Sequence, residues 1–142
     1  MSTDLWVEAC VSVNELLARY CHALDAGDRA VLANCFASEA SLDVDGRRVA
    51  SGAAGIVGEL AGRASETTMH LTFSPVVRLV PDERRAVSSS YFASVDIRSG
   101  LRRSIGLCDD VISLRPGGES VFESRAIEFR WRAGREVGDD AG

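Results

Sequence analysis

Lysine is absent from this chain, because all of its sixteen basic residues are arginines. A lysine Schiff base and a lysine general base are therefore excluded from any mechanism. Histidine is scarce as well, since only His22 and His70 are present, and this argues against a histidine-rich metal centre. The four cysteines lie far apart without a C-x-x-C pair, which predicts reduced core thiols rather than a zinc site or a disulfide framework.

Membrane and nucleic-acid signals are also missing. No apolar run approaches the roughly 20 residues that span a bilayer, and the acidic start at Met1–Asp4 lacks the basic and apolar parts of a signal peptide. We therefore expect a cytoplasmic protein with no membrane partner. The arginines are dispersed and the net charge is −5, which argues against the clustered positive field that nucleic acids require.

No phosphate-binding loop, dinucleotide fingerprint or metal-binding motif occurs in the sequence. We therefore predict that the protein uses no cofactor and no metal. The 142 residues fit a single domain with a sizeable core. We predict one domain over residues 1–133, followed by a small, acidic, disordered tail at 134–142.

Helical periodicity dominates the first part of the chain. A helix follows from apolar residues three and four positions apart, namely Trp6, Cys10, Val13, Leu17, Tyr20 and Leu24. A second short helix is predicted from Asp28 to Phe36. A third is predicted from Ala53 to Ala64, although its glycines each cost roughly 1 kcal/mol relative to alanine.

Strand-like patterns account for the remainder. A hairpin is predicted from Ala40 to Ala50 around the turn Asp45-Gly46, and longer strands follow at Thr67–Val80, Arg84–Ile97, Arg102–Leu114 and Ser120–Arg132. Three helices with an antiparallel meander indicate an α+β fold, in which a curved sheet packs its inner face on the helices. Such an arrangement encloses a cavity of the kind that binds small molecules.

The end of the first helix carries the strongest functional signal. Helical geometry points Tyr20 inward and places Asp25 on the rim of the buried stripe. Gly27 is suited to ending the helix, and Asp28 to capping the next one. A pocket enzyme could use this hydroxyl and this carboxylate together, but a core aromatic residue beside a helix-end acid would show the same pattern.

Several loosely spaced segments, taken together, resemble a known family. They are Arg19-Tyr20-x-x-Ala23-Leu24-Asp25-x-Gly27-Asp28, Leu32-x-x-x-Phe36-Ala37-x-Glu39-Ala40, Ser51-Gly52, Thr68-Met69-His70-Leu71, Ser90-Tyr91, Gly106-x-x-x-Asp110, and Glu123-Ser124-Arg125 with Trp131. Their order is similar to that of the SnoaL-like group in the nuclear transport factor two-like superfamily. The resemblance implies a cone-shaped, curved antiparallel sheet wrapped over three helices and enclosing a pocket.

The resemblance also implies a site. Scytalone dehydratase and the bile-acid dehydratase have a helix-end aspartate matched by Asp25, and a strand histidine matched by His70. Scytalone dehydratase uses a second histidine on a later strand, where this chain has none, so its full hydrogen-bond relay is not transferable. On this basis we predict a lyase or isomerase acting on an apolar carbonyl or polycyclic metabolite.

The hypothetical chemistry is removal of a proton beside a carbonyl group. His70 would act as general acid and base, Asp25 would orient it, and Tyr20 would donate to the enolate oxygen. A second donor would be Asp110, kept protonated by apolar surroundings, although neighbouring strand residues face opposite ways and Asp109 remains the alternative. The predicted substrate-binding residues are Phe36, Ile56, Leu60, Tyr91 and Cys108.

Strand alternation conflicts with a pocket-facing His70. It puts His70 on one face and Met69, Leu71 and Phe73 on the other, so that simple burial of the apolar set would expose the histidine. The conflict is resolved if the outer sheet face is covered in a homodimer, and Pro75 is suited to a bulge that changes the register.

Two other functions stay open. A non-catalytic binding or dimerisation module would have His70 and Asp25 separated by the sheet, whereas an enzyme would hold them within about 3.2 Å. An epoxide-hydrolase type of water activation would need an arginine and two carboxylates to converge in the pocket, for which Asp43, Arg125 and Asp110 are available.

Overall fold

The computed structural model describes residues 3–80, 82–115 and 117–134. Within them, three helices and six strands follow the predicted order. The predicted tail at 134–142 lies outside the described residues, except for Gly134. The elements are α1 (Thr3–Ala26), α2 (Arg29–Asn34), β1 (Phe36–Val44), β2 (Arg47–Ser51), α3 (Ala53–Arg63), β3 (Thr68–Val80), β4 (Arg85–Asp96), β5 (Arg102–Ser113) and β6 (Val121–Arg132).

Helix α1 forms because its apolar residues fall on one stripe. That stripe is buried from Val13 onward, whereas Trp6 at its start is 45% exposed. Val13 and Leu16 are fully enclosed, and Leu17 and Leu24 are nearly so. The helix stops at Gly27, which has a φ of +67°, and Asp28 then caps α2 by accepting a hydrogen bond from the Val31 amide. Among the described residues, no helix has both the length and the apolar character needed to cross a membrane.

The second helix is shorter than predicted. It ends at Asn34, and β1 already begins at Phe36 rather than at Ala40. The Phe122 amide donates a hydrogen bond to the Cys35 carbonyl at 2.8 Å. The chain from Phe36 onward therefore pairs with β6 and belongs to the sheet. Pairing with a strand far along the chain therefore overrides the local helical pattern.

The six strands form one sheet in the order β2-β1-β6-β5-β4-β3. Strands β3 to β6 make the predicted antiparallel meander, and β1 and β2 make the predicted hairpin. The sheet is not antiparallel throughout, because β1 runs parallel to β6, with Phe36 opposite Phe122 and Val44 opposite Ile127. This parallel pair joins the hairpin to the meander, and neither partner contains a local signal for it.

The inner face of the sheet carries both apolar and polar rows of side chains. The deepest row across β4, β5 and β6 is fully apolar, and the following rows lead to an open end that carries hydroxyl groups. The successive rows are Ala86–Ile112–Phe122, Ser88–Asp110–Arg125, Ser90–Cys108–Ile127, Phe92–Gly106–Phe129 and Ser94–Ser104. The first row belongs to the core, and each later row contributes at least one residue to the lining of a cavity.

Strand β3 places its polar set inward. His70 is half-buried, whereas Met69, Leu71 and Phe73 are 49%, 41% and 44% exposed on the outer face. The register of β3 against β4 shifts between Phe73 and Val76. The bulge predicted at Pro75 is therefore present, and the simpler expectation that alternation buries the apolar set of β3 is wrong.

Candidate active-site cavity

A cavity of about 230 Å³ lies between the sheet and helices α1 and α3. Its inner walls are largely apolar and aromatic, and include Leu24, Leu60, Phe92, Ile127 and Phe129. Gly106 allows the Phe92 ring to lie against the sheet, because a Cβ on it would come within 2.5 Å of that ring. The remaining lining is polar or sulfur-containing for the most part: Tyr20, Cys21, Arg63, Ser65, Thr68, His70, Leu71, Thr72, Ala93, Ser94, Arg103, Ser104, Cys108 and Arg125.

His70 and Asp25 meet beside this cavity. The His70 Nδ1 lies 2.6 Å from Asp25 Oδ1. The backbone N–H of His70 also donates to Asp25 Oδ1 and Oδ2, at 3.1 and 3.0 Å. With Nδ1 held as a donor to the carboxylate, Nε2 is the ring nitrogen that remains to accept a proton. Asp25 therefore selects the tautomer of His70 and fixes the strand that carries it.

Tyr20 lines the same cavity from α1 and is only 5% exposed. Its ring packs edge-on against Phe36 and Phe122, with centroids 6.1 and 5.7 Å away. Burial raises the pKa of the Tyr20 hydroxyl, and the nearby Arg125 only partly opposes this. The phenol is consequently neutral and can donate a hydrogen bond.

Arg125 forms a fully buried ion pair at the inner end of the cavity. Its Nη1 donates to Asp110 Oδ2 at 2.7 Å, and its Nη2 donates to Cys108 Sγ at 3.1 Å. The guanidinium carbon lies 4.5 Å from the centroid of the Tyr20 ring. A positive charge is thereby held next to the proposed phenol donor, in surroundings that screen it poorly.

Burial dominates the protonation of the groups around Arg125. It raises the pKa of Asp110 to about 6, with Arg125 lowering it in part, so that the pair is ionic at neutral pH. Burial also raises the pKa of the Cys108 thiol to about 12, against the influence of Arg125. Cys108 is therefore a neutral, polarisable wall residue and not a thiolate nucleophile.

The position of Asp110 corrects one predicted role. Of the two adjacent acids, Asp110 is the one that points inward, whereas Asp109 is exposed and bonded to Ser89. Asp110 is not among the cavity-lining residues. Because its carboxylate is ionic and paired with Arg125, it holds that arginine instead of donating to a substrate oxygen.

Three of the predicted substrate-binding residues also lie elsewhere. Phe36 and Ile56 belong to the apolar core and are not among the cavity-lining residues, because β1 begins early and the buried face of α3 points into the core. Tyr91 is 51% exposed on the outer face, where its ring centroid lies 5.9 Å from that of Phe73. Strand alternation turns Tyr91 away from the face on which its neighbour Phe92 lies. The other two, Leu60 and Cys108, do line the cavity.

The arginine and the two acids of the epoxide-hydrolase hypothesis do not all converge. Arg125 and Asp110 are paired and buried. Asp43 lies between the inward-facing Leu42 and Val44 of β1, and its partly exposed carboxylate binds Arg48. Among the described residues, moreover, no group of histidine, cysteine and acidic side chains is arranged to hold a metal ion.

Arg125 was considered for a functional role only within the epoxide-hydrolase hypothesis, and its buried pairing with Asp110 beside Tyr20 was not predicted. A signal existed, because Arg125, Ile127 and Phe129 alternate along β6 and share a face with two apolar residues. An arginine on such a face needs a buried anion. Arg103, Ser65 and Thr68 were also missed, since no local pattern marks residues that meet only at the open side of a folded sheet.

The six-stranded curved sheet packed on N-terminal helices defines a cystatin-like α+β fold. The chain belongs to the family of SnoaL-like domains, whose family model matches residues 7–139. No protein with a curated function matches the sequence.

Solved structures agree with this fold. An NTF2-like protein with a cystatin-like fold from Novosphingobium aromaticivorans has a TM-score of 0.76 at 20% identity, over 94% of this chain and 88% of that one. The "Putative Scytalone Dehydratase" from the same organism has a TM-score of 0.77 at 19% identity, over 96% of this chain and 93% of that one. Aln2 from a Streptomyces species has a TM-score of 0.73 at 22% identity, over 91% of this chain and 93% of that one.

Proposed function

We propose that this protein is a cofactor-independent lyase or isomerase that removes a proton beside a carbonyl group of an apolar substrate. The resulting enolate would lead to dehydration, cyclisation or double-bond migration. The observation that carries this proposal is the 2.6 Å contact of Asp25 with His70 beside a mostly apolar cavity. A histidine oriented by a carboxylate is suited to act as base and then as acid.

The volume of the cavity suggests the size of the substrate. A cavity of about 150 Å³ binds benzene, and the cavity here is about 230 Å³. A two-ring carbonyl compound fits that space. Phe92 and Phe129, whose centroids lie 5.3 Å apart, supply aromatic wall on the sheet side.

Each proton in the proposed reaction has a defined carrier. His70 Nε2 accepts the α-proton, and Asp25 stabilises the imidazolium that forms. The Tyr20 hydroxyl donates a hydrogen bond to the oxygen on which negative charge develops, and Arg125 adds a fixed positive charge behind the ring. In a dehydration, the imidazolium then returns its proton to the leaving hydroxyl group, and water departs. In an isomerisation, the proton returns to another carbon.

The family and one similar structure support this type of reaction. One similar structure carries a dehydratase name, and the family model is that of SnoaL-like domains. The exposed apolar side chains on the outer face of β3 support a homodimer formed through the sheet. A cytoplasmic location remains part of the same proposal.

Two assays test the shared proton-abstraction step and the complete reaction. The first follows exchange of the α-protons of 1-tetralone in deuterated water by NMR. The second follows loss of water from 3-hydroxy-1-tetralone, which yields 1-naphthol, with carboxylated analogues of both ketones included. We expect wild-type protein to catalyse exchange, and His70→Asn to lower the rate at least about a hundredfold. The control is His22→Asn, which changes the exposed second histidine and should leave the rate unchanged.

The outcomes separate catalysis from binding. Exchange that is equally fast in wild type and His70→Asn would overturn the proposed base. Ketones that bind in the cavity but show neither exchange nor dehydration would favour a non-catalytic ligand-binding module.

A further inference from the structure

A polar cluster borders the cavity at its open side. Arg103 Nη1 donates to Thr68 Oγ1 at 3.4 Å, and the hydroxyls of Thr68 and Ser65 lie 2.7 Å apart. All three residues line the cavity, with Thr68 largely buried and Arg103 exposed. The apolar cavity therefore ends in a guanidinium and two hydroxyl groups.

The charges elsewhere in the cavity are already compensated. Arg125 is paired with Asp110, and His70 contacts Asp25. Arg63 donates to Glu59 at 2.8 Å. Arg103, by contrast, has no carboxylate partner among residues 3–80, 82–115 and 117–134.

The strand register places Arg103 close to the proposed chemistry. Ser104, the next residue, pairs with Ser94, and Ser94 pairs with His70. The side chains of Ser94 and Ser104 are bonded to each other at 2.5 Å. A ligand group held by Arg103 would thus lie about one residue along the sheet from the row that carries the proposed base.

We propose that the substrate of this cavity is an apolar, ring-containing carbonyl compound that carries a carboxylate, and that Arg103 binds the carboxylate with help from Ser65 and Thr68. This inference rests on the proposed function of the cavity. A guanidinium presents two parallel N–H donors that match the two oxygens of a carboxylate. With the carboxylate at the open side, the rings extend inward along the wall formed by Phe92 and Phe129.

A pair of equally sized probes tests the inference by calorimetry at neutral pH. 2-Naphthoate carries the carboxylate, whereas 2-naphthamide replaces it with a neutral amide. We expect wild type to bind the acid at least about tenfold more tightly than the amide, since charge-assisted hydrogen bonds are the stronger ones. Arg103→Gln should abolish that preference while leaving binding of the amide within about twofold of wild type.

The neighbouring arginine provides a matched control. The guanidinium carbon of Arg102 lies over the Trp131 ring, 4.5 Å from its centroid. Arg102 does not line the cavity. Arg102→Gln removes the same charge and should retain the preference for the acid. The proposal is overturned if wild type shows no preference, if neither probe binds, or if Arg103→Gln keeps the preference.

A second control addresses the acidic residues beyond the described part of the chain. The Ala133 amide donates to the Arg103 carbonyl at 2.8 Å, and Glu136, Asp139 and Asp140 follow shortly after it in sequence. In the full-length triple variant E136Q/D139N/D140N we expect an unchanged preference. A tenfold or greater rise in affinity for 2-naphthoate would mean that these acids compete with the ligand for Arg103, and it would overturn the proposal.

The test is independent of turnover. His70→Asn removes the proposed base and should still prefer 2-naphthoate, because Arg103 is intact. A preference that depends on Arg103 in a protein without any exchange activity would refute only the proposed function. Exchange catalysed equally well in wild type and Arg103→Gln with carboxylated ketones would refute only the carboxylate site.

Discussion

Asp25 and His70 are 45 positions apart in the sequence, and the carboxylate of Asp25 accepts hydrogen bonds from both the ring and the backbone of His70. The carboxylate sits at the end of α1, and the histidine near the start of β3. One acid therefore ties a helix end to a strand and orients an imidazole. This arrangement combines a structural contact with a proposed catalytic one.

Asp25→Asn should lower kcat for exchange of 1-tetralone by about 10²–10⁴-fold. An amide does not stabilise the imidazolium, and it can hold His70 in the opposite tautomer. The matched control is Asp43→Asn, which neutralises an acid on the outer face of the sheet and should keep full activity. Unchanged turnover in a folded Asp25→Asn protein, verified by circular dichroism, would remove Asp25 from the mechanism.

Tyr20→Phe should reduce kcat for the exchange of 1-tetralone by about 10²–10³-fold, and it should change the melting temperature only a little. The substitution removes the proposed donor to the enolate but retains the ring that packs on Phe36 and Phe122. Tyr91→Phe is the matched control, because the only other tyrosine lies on the outer face, and it should be fully active. Equal rates for the two variants would show that Tyr20 is a core aromatic only.

The stability of the fold should depend on pH through Asp110. Burial raises its pKa from 3.8 to about 6, so the native state holds this proton more strongly than the unfolded chain does. The resulting stabilisation is complete below pH 3.8 and is lost as the pH rises through about 6. Urea unfolding across this range measures the effect.

Arg125→Met should make the stability of the fold depend more steeply on pH, because Arg125 is the group that lowers the pKa of Asp110. At about pH 8 we expect the variant to be destabilised by about 3–5 kcal/mol, and at about pH 4 by clearly less. The double variant Asp110→Leu/Arg125→Met should recover most of the stability, since it leaves no unpaired charge. Equal destabilisation at both pH values would mean that Asp110 is not the titrating group.

Gly106→Ala should destabilise the protein by about 1–3 kcal/mol through overpacking. A Cβ at this position would collide with the Glu128 carbonyl and with the ring of Phe92, which lines the cavity. Gly58→Ala in α3 is the contrasting control. Nothing lies within 4 Å of its added Cβ, and helix propensity predicts a gain of roughly 0.5–1 kcal/mol. Equal unfolding midpoints for both variants would contradict this packing around Gly106.

Local patterns were sufficient for most of the fold. The apolar spacing of α1 predicted its buried stripe, Asp45-Gly46 predicted the β1–β2 turn, and Pro75 predicted the bulge in β3. These features can be predicted from the sequence, because backbone preference and side-chain periodicity act over a few residues. The parallel pairing of β1 with β6 was not predicted, because neither strand encodes its distant neighbour.

The candidate site was accessible to sequence reasoning only in part. Tyr20 and Asp25 follow from helix geometry, and His70 was suggested by resemblance to a family. The cavity position of Arg103 and the pairing of Arg125 with Asp110 were missed, and Phe36 and Tyr91 were assigned to the wrong surroundings. Sheet register decides which of two neighbouring residues faces inward, and a shift of one position reverses the outcome.

By itself, the sequence determined the order of helices and strands and the absence of lysine chemistry, and it suggested the residues that we propose for acid–base catalysis. Only the tertiary structure decided that Asp25 meets His70, that Asp110 serves Arg125, and that Arg103 faces the cavity without a carboxylate partner among the described residues. The reason is physical. Periodicity constrains a residue relative to its near neighbours, whereas protonation and pairing depend on burial and on charges brought together from distant strands.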